Sequence, residues 1–259
     1  MKVVGLQMDL VWEDCDENLR RAASMLEEAA ACGARLAVLP EMFNTGFTMN
    51  ASAAAAHADR TRSFLSEQAQ ARGLWVCAGY ADPASPRPRN GCSIFDPAGA
   101  ERLRYHKIHP FSLAGEHEHY DGGQEVATVE VEGLRVTPLV CYDLRFPEPF
   151  RAAAEDTDLF VVIANWPARR REAWRCLLRA RAIENQCFVL GVNRVGLAGK
   201  LPHAGDSTVF DPLGETVSAA AWQVGRIEAD VSAEEVRSCR ETFSFLADRR
   251  PDVYDGLRP

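Results

Sequence analysis

Three short apolar runs, each closed by a polar residue, limit what this chain can fold into. Arg35-Leu-Ala-Val-Leu-Pro40 ends at Glu41, Leu134–Val140 ends at Cys141, and Asp158-Leu-Phe-Val-Val-Ile-Ala164 ends at Asn165. Short runs without polar alternation are typical of strands buried on both faces. Such strands need cover, and the sequence supplies it. Asp16–Ala31 sets Leu19, Ala22, Ala23, Leu26, Ala29 and Ala30 on one helical face, with Gly33 as its stop. This combination predicts an α/β fold. In α/β sheets ligands sit beyond the carboxyl ends of the strands, so Glu41, Cys141 and Asn165 are candidates to converge.

The remaining pattern fills in around these runs. Val3–Met8 reads as a first strand, 43–49 as a loop and 51–72 as a helix stopped by Gly73. Strands at 74–79, 92–95 and 102–106 form an antiparallel meander, joined by the Pro/Arg-rich stretch 82–91 and the turn Asp96-Pro-Ala-Gly99. In the second half, 147–154 and 170–186 read as helices, and 188–193 and 207–210 as strands. The halves echo each other: Ser93-Ile-Phe-Asp-Pro-Ala-Gly99 resembles Thr208-Val-Phe-Asp-Pro-Leu-Gly214, and 34–41 parallels 157–165. No linker or composition break separates them. The expectation is a single domain over 1–259, with sheet packed on sheet and helices outside.

Charge and cysteine usage remove several functions. A net charge of −8 opposes binding to nucleic acid or an anionic membrane. No apolar run approaches the roughly 18–20 residues of a membrane span, so a soluble cytoplasmic protein is expected. The eight cysteines lack CxxC or other close pairing, which fits neither zinc spacing nor a small disulfide scaffold. They read as reduced thiols, and position must decide which one reacts. Cys141 stands where a buried strand, interrupted by Pro138, turns into a helical pattern near Pro147. A thiol on such a turn lies near backbone N–H groups that favour an anion, as a nucleophile requires. Glu41, directly after a buried strand, needs a partner. Lys107 follows the strand 102–106 and precedes Ile108-His-Pro-Phe111.

Glu, Lys and Cys in this order and context resemble the nitrilase superfamily of carbon–nitrogen hydrolases. The matching pieces are Leu39-Pro-Glu41-Met-Phe, Lys107-Ile-His and Cys141-Tyr-Asp-Leu-Arg-Phe-Pro-Glu148. Asn165-Trp-Pro167, Arg179–Gln186 and Gly205–Glu215 add to the match, which runs from about residue 2 to 255. Pro40–Phe47, Gly115–Tyr120 and Phe245–Tyr254 further resemble the bacterial ω-amidase (2-oxoglutaramate amidase) group. The resemblance implies a four-layer α-β-β-α sandwich and a homodimer or larger assembly. It also implies a cysteine amidohydrolase acting on a small-molecule amide without cofactor or metal.

Amide cleavage needs a strong nucleophile, a proton shuttle and a site for the tetrahedral oxyanion. The resemblance assigns these to Cys141 as nucleophile, Glu41 as base, and Lys107 with the Tyr142 N–H as oxyanion donors. It also places a second glutamate seven residues before a glycine. Glu116, seven before Gly123, fits; Glu118 is the rival. Glu116-His-Glu-His119 looks like a metal cluster but has no evident distant ligand, so none is expected. The six arginines of 169–181 read mostly as a solvated helix face, with Trp174, Leu177, Leu178 and Ile183 inward. Arg169 or Arg170 is a candidate clamp for a distal substrate carboxylate, and Phe43, Phe47 and Trp166 are candidate pocket walls. The expected reaction is conversion of a short dicarboxylic acid monoamide, such as 2-oxoglutaramate or 2-oxosuccinamate, to the diacid and ammonia. Rival readings are an N-carbamoyl or peptide-like amide hydrolase, a nitrile hydrolase, a non-catalytic scaffold, or a thiol redox protein.

Overall fold

The computed structural model describes residues 1–254 and Gly256; the last part of the expected 1–259 domain, at 255 and 257–259, lies outside the described residues. The first half runs β1 (Lys2–Gln7), α1 (Cys15–Ala31), β2 (Leu36–Val38), α2 (Ala51–Ala55), α3 (Ala58–Arg72), β3 (Trp75–Asp82), β4 (Arg89–Phe95) and β5 (Glu101–His106). The short helix α4 (Glu116–His119) follows. The second half runs β6 (Val129–Val131), β7 (Leu134–Val140), α5 (Pro147–Ala153), β8 (Leu159–Ala164), α6 (Arg171–Asn185), β9 (Phe188–Asn193), β10 (Val195–Ala198), β11 (Leu201–Phe210) and β12 (Thr216–Ala221). The chain returns through β13 (Gly225–Asp230), then α7 (Ala233–Thr242) and α8 (Pro251–Tyr254).

Two mixed sheets result, one ordered β13-β1-β2-β3-β4-β5, the other β10-β11-β9-β8-β7-β6 with β12 on β11. The all-apolar runs occupy the centres: β2 pairs parallel with β1 and β3, and β8 pairs parallel with β7 and β9. One core joins the facing surfaces of both sheets and includes Val3, Val38, Ile94, Val140, Val161 and Val192. A second core, with Val4, Leu26, Leu65 and Val76, lies between the first sheet and helices α1 and α3. Helix α6 covers the second sheet, where Leu178 and Trp174 sit directly over Gly191. This is the expected α-β-β-α sandwich. Each fully buried Leu, Val or Ile in these layers contributes about 1.5–3 kcal/mol.

Local chemistry explains the boundaries. The Asp14 side chain accepts the Glu17 N–H at 3.0 Å and starts α1. Gly73 closes α3 at φ 60°. The two similar turns are one device used twice. Asp96 accepts the Ala98 and Ala100 N–H groups at 2.9 Å, as Asp211 accepts those of Leu213 and Glu215, with Gly99 and Gly214 at positive φ.

Several expectations needed correction. The helix 51–72 breaks at Ala56-His57 into α2 and α3. The strand expected at 207–210 begins at Leu201, because Gly199 at φ 59° turns β10 back onto β11. The sequence reading omitted β6, β10, β12, β13, α4, α7 and α8. Ile183 is 49% exposed rather than inward, since the buried positions of α6 are Trp174, Leu178, Arg181, Ala182 and Asn185.

Candidate active site

The carboxyl ends of β2, β7 and β8 meet between the two sheets. Past β2 the chain bends tightly, with Met42 at φ 43°, and leaves Glu41 fully buried. Gly79 makes the approach possible: a Cβ there would meet Ile163 Cδ1 at 2.6 Å and the Glu41 Cα at 2.8 Å. Across the sheets, the Asn165 N–H donates to Glu41 Oε2 at 2.8 Å and Asn165 Nδ2 donates to the Glu41 carbonyl at 2.6 Å. Thus the ends of β2 and β8 lock together through the glutamate.

Lys107 follows β5 and is 1% exposed. Its Nζ donates to Glu41 Oε1 at 3.0 Å and to Glu116 Oε2 at 2.8 Å. Asn90 on β4 donates one Nδ2 to both Glu41 Oε1 (2.7 Å) and Glu116 Oε1 (2.8 Å). Glu116 Oε2 also accepts the Phe111 N–H at 2.5 Å. Within α4 only Glu116 turns inward; His117, Glu118 and His119 are exposed, so Glu116 rather than Glu118 joins the cluster. Burial pulls the Lys107 pKa down, but the Glu116 and Glu41 charges outweigh it and hold the ammonium protonated. The Phe47 ring lies 5.3 Å from Nζ.

Cys141 sits at φ 48°, the first residue of a 3-10 turn, Cys141–Arg145. A left-handed residue that is not glycine stores strain and marks a turn worth attention. Tyr142 follows in that turn, where the first N–H groups lack an intrahelical carbonyl. Burial, then the Glu41 charge, pushes the thiol pKa up, while Lys107 opposes them. The thiol therefore rests protonated beside a carboxylate that can receive its proton. The ammonium can stabilise negative charge formed beside the sulfur.

Above Cys141 opens a cavity of about 370 Å³. Cys141, Tyr142, Phe47, Trp166, Arg169 and Arg170 line it, as expected. Phe43 does not: its N–H bonds to the Gly79 carbonyl at 2.9 Å, and its ring is buried outside the first sheet near Phe64. The bend after Glu41 turns position 43 away from the cavity. Trp166 is held by Asn193, which accepts its N–H at 2.7 Å and donates to its carbonyl at 3.0 Å.

Asn90, Trp12, Phe111, Arg145 and His203 were missed by the sequence reading. Asn90 falls in the stretch 82–91, which reads as a loop before the expected strand 92–95, whereas β4 already begins at Arg89. Arg145 was inside the quoted cysteine motif, and its guanidinium stacks 4.9 Å over Trp166. Arg170 stacks 5.1 Å over Phe111. Among the described residues, Arg145, Arg169 and Arg170 have no acidic partner, although most arginines of α6 do: Arg171 pairs with Asp206, Arg175 with Glu172 and Arg181 with Glu184. His203 is 3% exposed. Burial, with the charges of Arg194 and Arg170, lowers its pKa to about 4 and keeps it neutral at pH 7.

The family model for carbon–nitrogen hydrolases matches residues 3–241. The chain belongs to this family. The omega-amidase YafV of Escherichia coli K12 is 41% identical over 250 residues, 96% of each chain. The 2-oxoglutaramate amidase of Bacillus subtilis 168 is 32% identical, covering 96% of this chain and 97% of the other. A carbon–nitrogen hydrolase superfamily protein from Xanthomonas campestris, crystallised with an arsenic adduct in its active site, superposes with a TM-score of 0.88 at 34% identity, over 96% and 97% of the chains. A variant of an amidase from Nesterenkonia sp. AN1, with acrylamide added to its active-site cysteine, superposes at 0.89 with 26% identity over 100% of both. The family and these relatives support an amidase acting on carbon–nitrogen bonds, in the ω-amidase group.

Proposed function

We propose that the protein hydrolyses the terminal amide of a short carboxylic acid monoamide, 2-oxoglutaramate or 2-oxosuccinamate, through a thioester on Cys141. The observation that carries this reading is that Arg145, Arg169 and Arg170, without an acidic partner among the described residues, stand at the mouth of a cavity whose floor holds Cys141 beside Glu41 and Lys107. Glu41 takes the thiol proton as sulfur attacks the amide carbon. Lys107 and the Tyr142 N–H stabilise the oxyanion, and Glu41 returns the proton to the departing ammonia. Water, deprotonated by Glu41, then attacks the thioester and frees the acid. Glu116 holds Lys107, and Asn90 ties the two glutamates together. Arg145, Arg169 or Arg170 pairs with the distal carboxylate, which a neutral aliphatic amide lacks.

The names of the curated relatives agree with this substrate class. Because Glu41, Lys107 and Glu116 come from the first half and Cys141 from the second, the whole chain is read as one catalytic domain. Eight free cysteines suit a reducing cytoplasm; among the described residues no helix is long and apolar enough to cross a membrane. Outward Ile183 and Leu213 offer an apolar face for a homodimer, testable by sedimentation. Ammonia release from 2-oxoglutaramate, 2-oxosuccinamate, glutamine, N-carbamoyl-β-alanine and a simple nitrile tests the substrate. Selective release from the oxo-acid amides is expected. Release only from the carbamoyl compound would keep the mechanism and overturn the substrate.

A further inference from the structure

Asp143 lies two residues past Cys141 and is fully buried, and its carboxylate gathers four hydrogen bonds. Oδ2 accepts the Tyr105 hydroxyl at 2.7 Å and the Val140 N–H at 3.1 Å. Oδ1 accepts the His109 N–H at 3.0 Å and pairs with His109 Nδ1 at 2.9 Å. Tyr105 and His109 stand two residues before and two after Lys107, and Val140 directly precedes Cys141. The His109 ring also stacks on Phe146, just past the 3-10 turn, with centroids 3.8 Å apart. One carboxylate therefore grips both sides of the lysine and the entry to the strained cysteine. Lys107 directly follows the edge strand β5 of one sheet and Cys141 directly follows β7 of the other, so their spacing depends on ties between the sheets.

We infer that Asp143 is a positioning residue that sets the Lys107 segment in register with the Cys141 turn. The inference rests on the roles proposed for Lys107 and Cys141, and it concerns geometry that the candidate clamps Arg169 and Arg170 do not share. Loosening the tie moves the ammonium relative to the sulfur and leaves Arg169 and Arg170, beyond β8, in place, while Arg145 of the same turn is braced separately on Trp166. It must therefore act on kcat rather than KM.

Asp143→Asn keeps the shape but leaves one pair of donors facing an amide NH2. The expected result is a kcat about 100-fold lower with KM unchanged. Alkylation by iodoacetamide, followed on the Cys141 peptide by mass spectrometry, should slow as well. A folded variant whose kcat per folded molecule and Cys141 alkylation rate match the wild type would overturn the inference, even if its unfolding midpoint falls. Should Asp143→Asn not fold, Tyr105→Phe removes one donor and keeps the carboxylate; kcat about tenfold lower is expected, and an unchanged kcat and alkylation rate would overturn the inference. If the wild type releases no ammonia from the ω-amides, the substrate reading falls. The alkylation comparison then still decides the role of Asp143.

Discussion

The floor and the mouth of the cavity treat charge in opposite ways. At the floor, Glu41, Glu116 and Lys107 are buried and joined to one another and to Asn90. At the mouth, Arg145 and Arg170 are partly covered by aromatic rings, Arg169 is exposed and, among the described residues, none of the three has an acidic partner. Buried charges persist only when paired, so the floor arrives preorganised and needs nothing from the substrate. Under the proposed function, the mouth would gain its counter-charge from the carboxylate of the substrate. The contrast assigns chemistry to one end and selection to the other, and substitutions should separate the two.

The largest effect belongs to the floor. Cys141→Ala should reduce ammonia release by about 10⁴-fold or more while the protein stays folded, checked by turnover together with circular dichroism. Lys107→Met should abolish turnover too, but with a different signature. It leaves two carboxylates buried without their cation, and urea unfolding should show a loss of about 3–5 kcal/mol. A Lys107→Met protein of wild-type stability would break the claim that the floor is held by charge pairing.

Effects at the mouth should be smaller and fall on KM. Arg170→Ala, Arg169→Ala or Arg145→Ala should raise KM for 2-oxoglutaramate about 10–100-fold for whichever guanidinium holds the carboxylate, since a charged hydrogen bond contributes about 1.5–3 kcal/mol. kcat should hold, and a neutral amide of similar length should show no change. If all three variants act on 2-oxoglutaramate as the wild type does, the selective role of the mouth is lost.

The smallest effect at neutral pH concerns His203. Its pKa is about 4 in the folded protein against an ordinary value near ~6.5, so between these values the unfolded chain binds the extra proton. Stability should then fall as pH drops from about 6.5 to about 4, by roughly 3 kcal/mol in total from this residue, and change no further below. His203→Gln should remove that slope, so the stability difference between wild type and variant, measured by urea unfolding, should change by roughly 3 kcal/mol between about pH 6.5 and about pH 4. Parallel curves would contradict the assignment.

The floor was more legible in the sequence than the mouth. Glu41 and Cys141 each follow an apolar run, and a reactive side chain at the end of a buried strand stands out against its background. Asn90 was hidden because β4 opens with Arg89-Asn-Gly91, residues that read as loop, and only pairing with β3 and β5 makes them strand. Phe43 was misplaced because a bend at Met42 reverses the side-chain direction, and no periodicity reports such a bend. Strand β13 escaped notice because its partner is β1, with Lys2 opposite Asp230, a pairing set by the closed fold rather than by neighbouring residues. Arg145 and His203 became site residues only when separate loops met around the cavity.

Under the proposed mechanism an acyl group passes covalently through Cys141. The direct measurement is rapid acid quenching of the enzyme during turnover of 2-oxoglutaramate, followed by peptide mass mapping. A thioester carrying the 2-oxoglutaryl group is expected on the Cys141 peptide, absent from the other seven cysteines and from Cys141→Ala. Steady ammonia release by Cys141→Ala, or an acyl group found on a different residue, would contradict it.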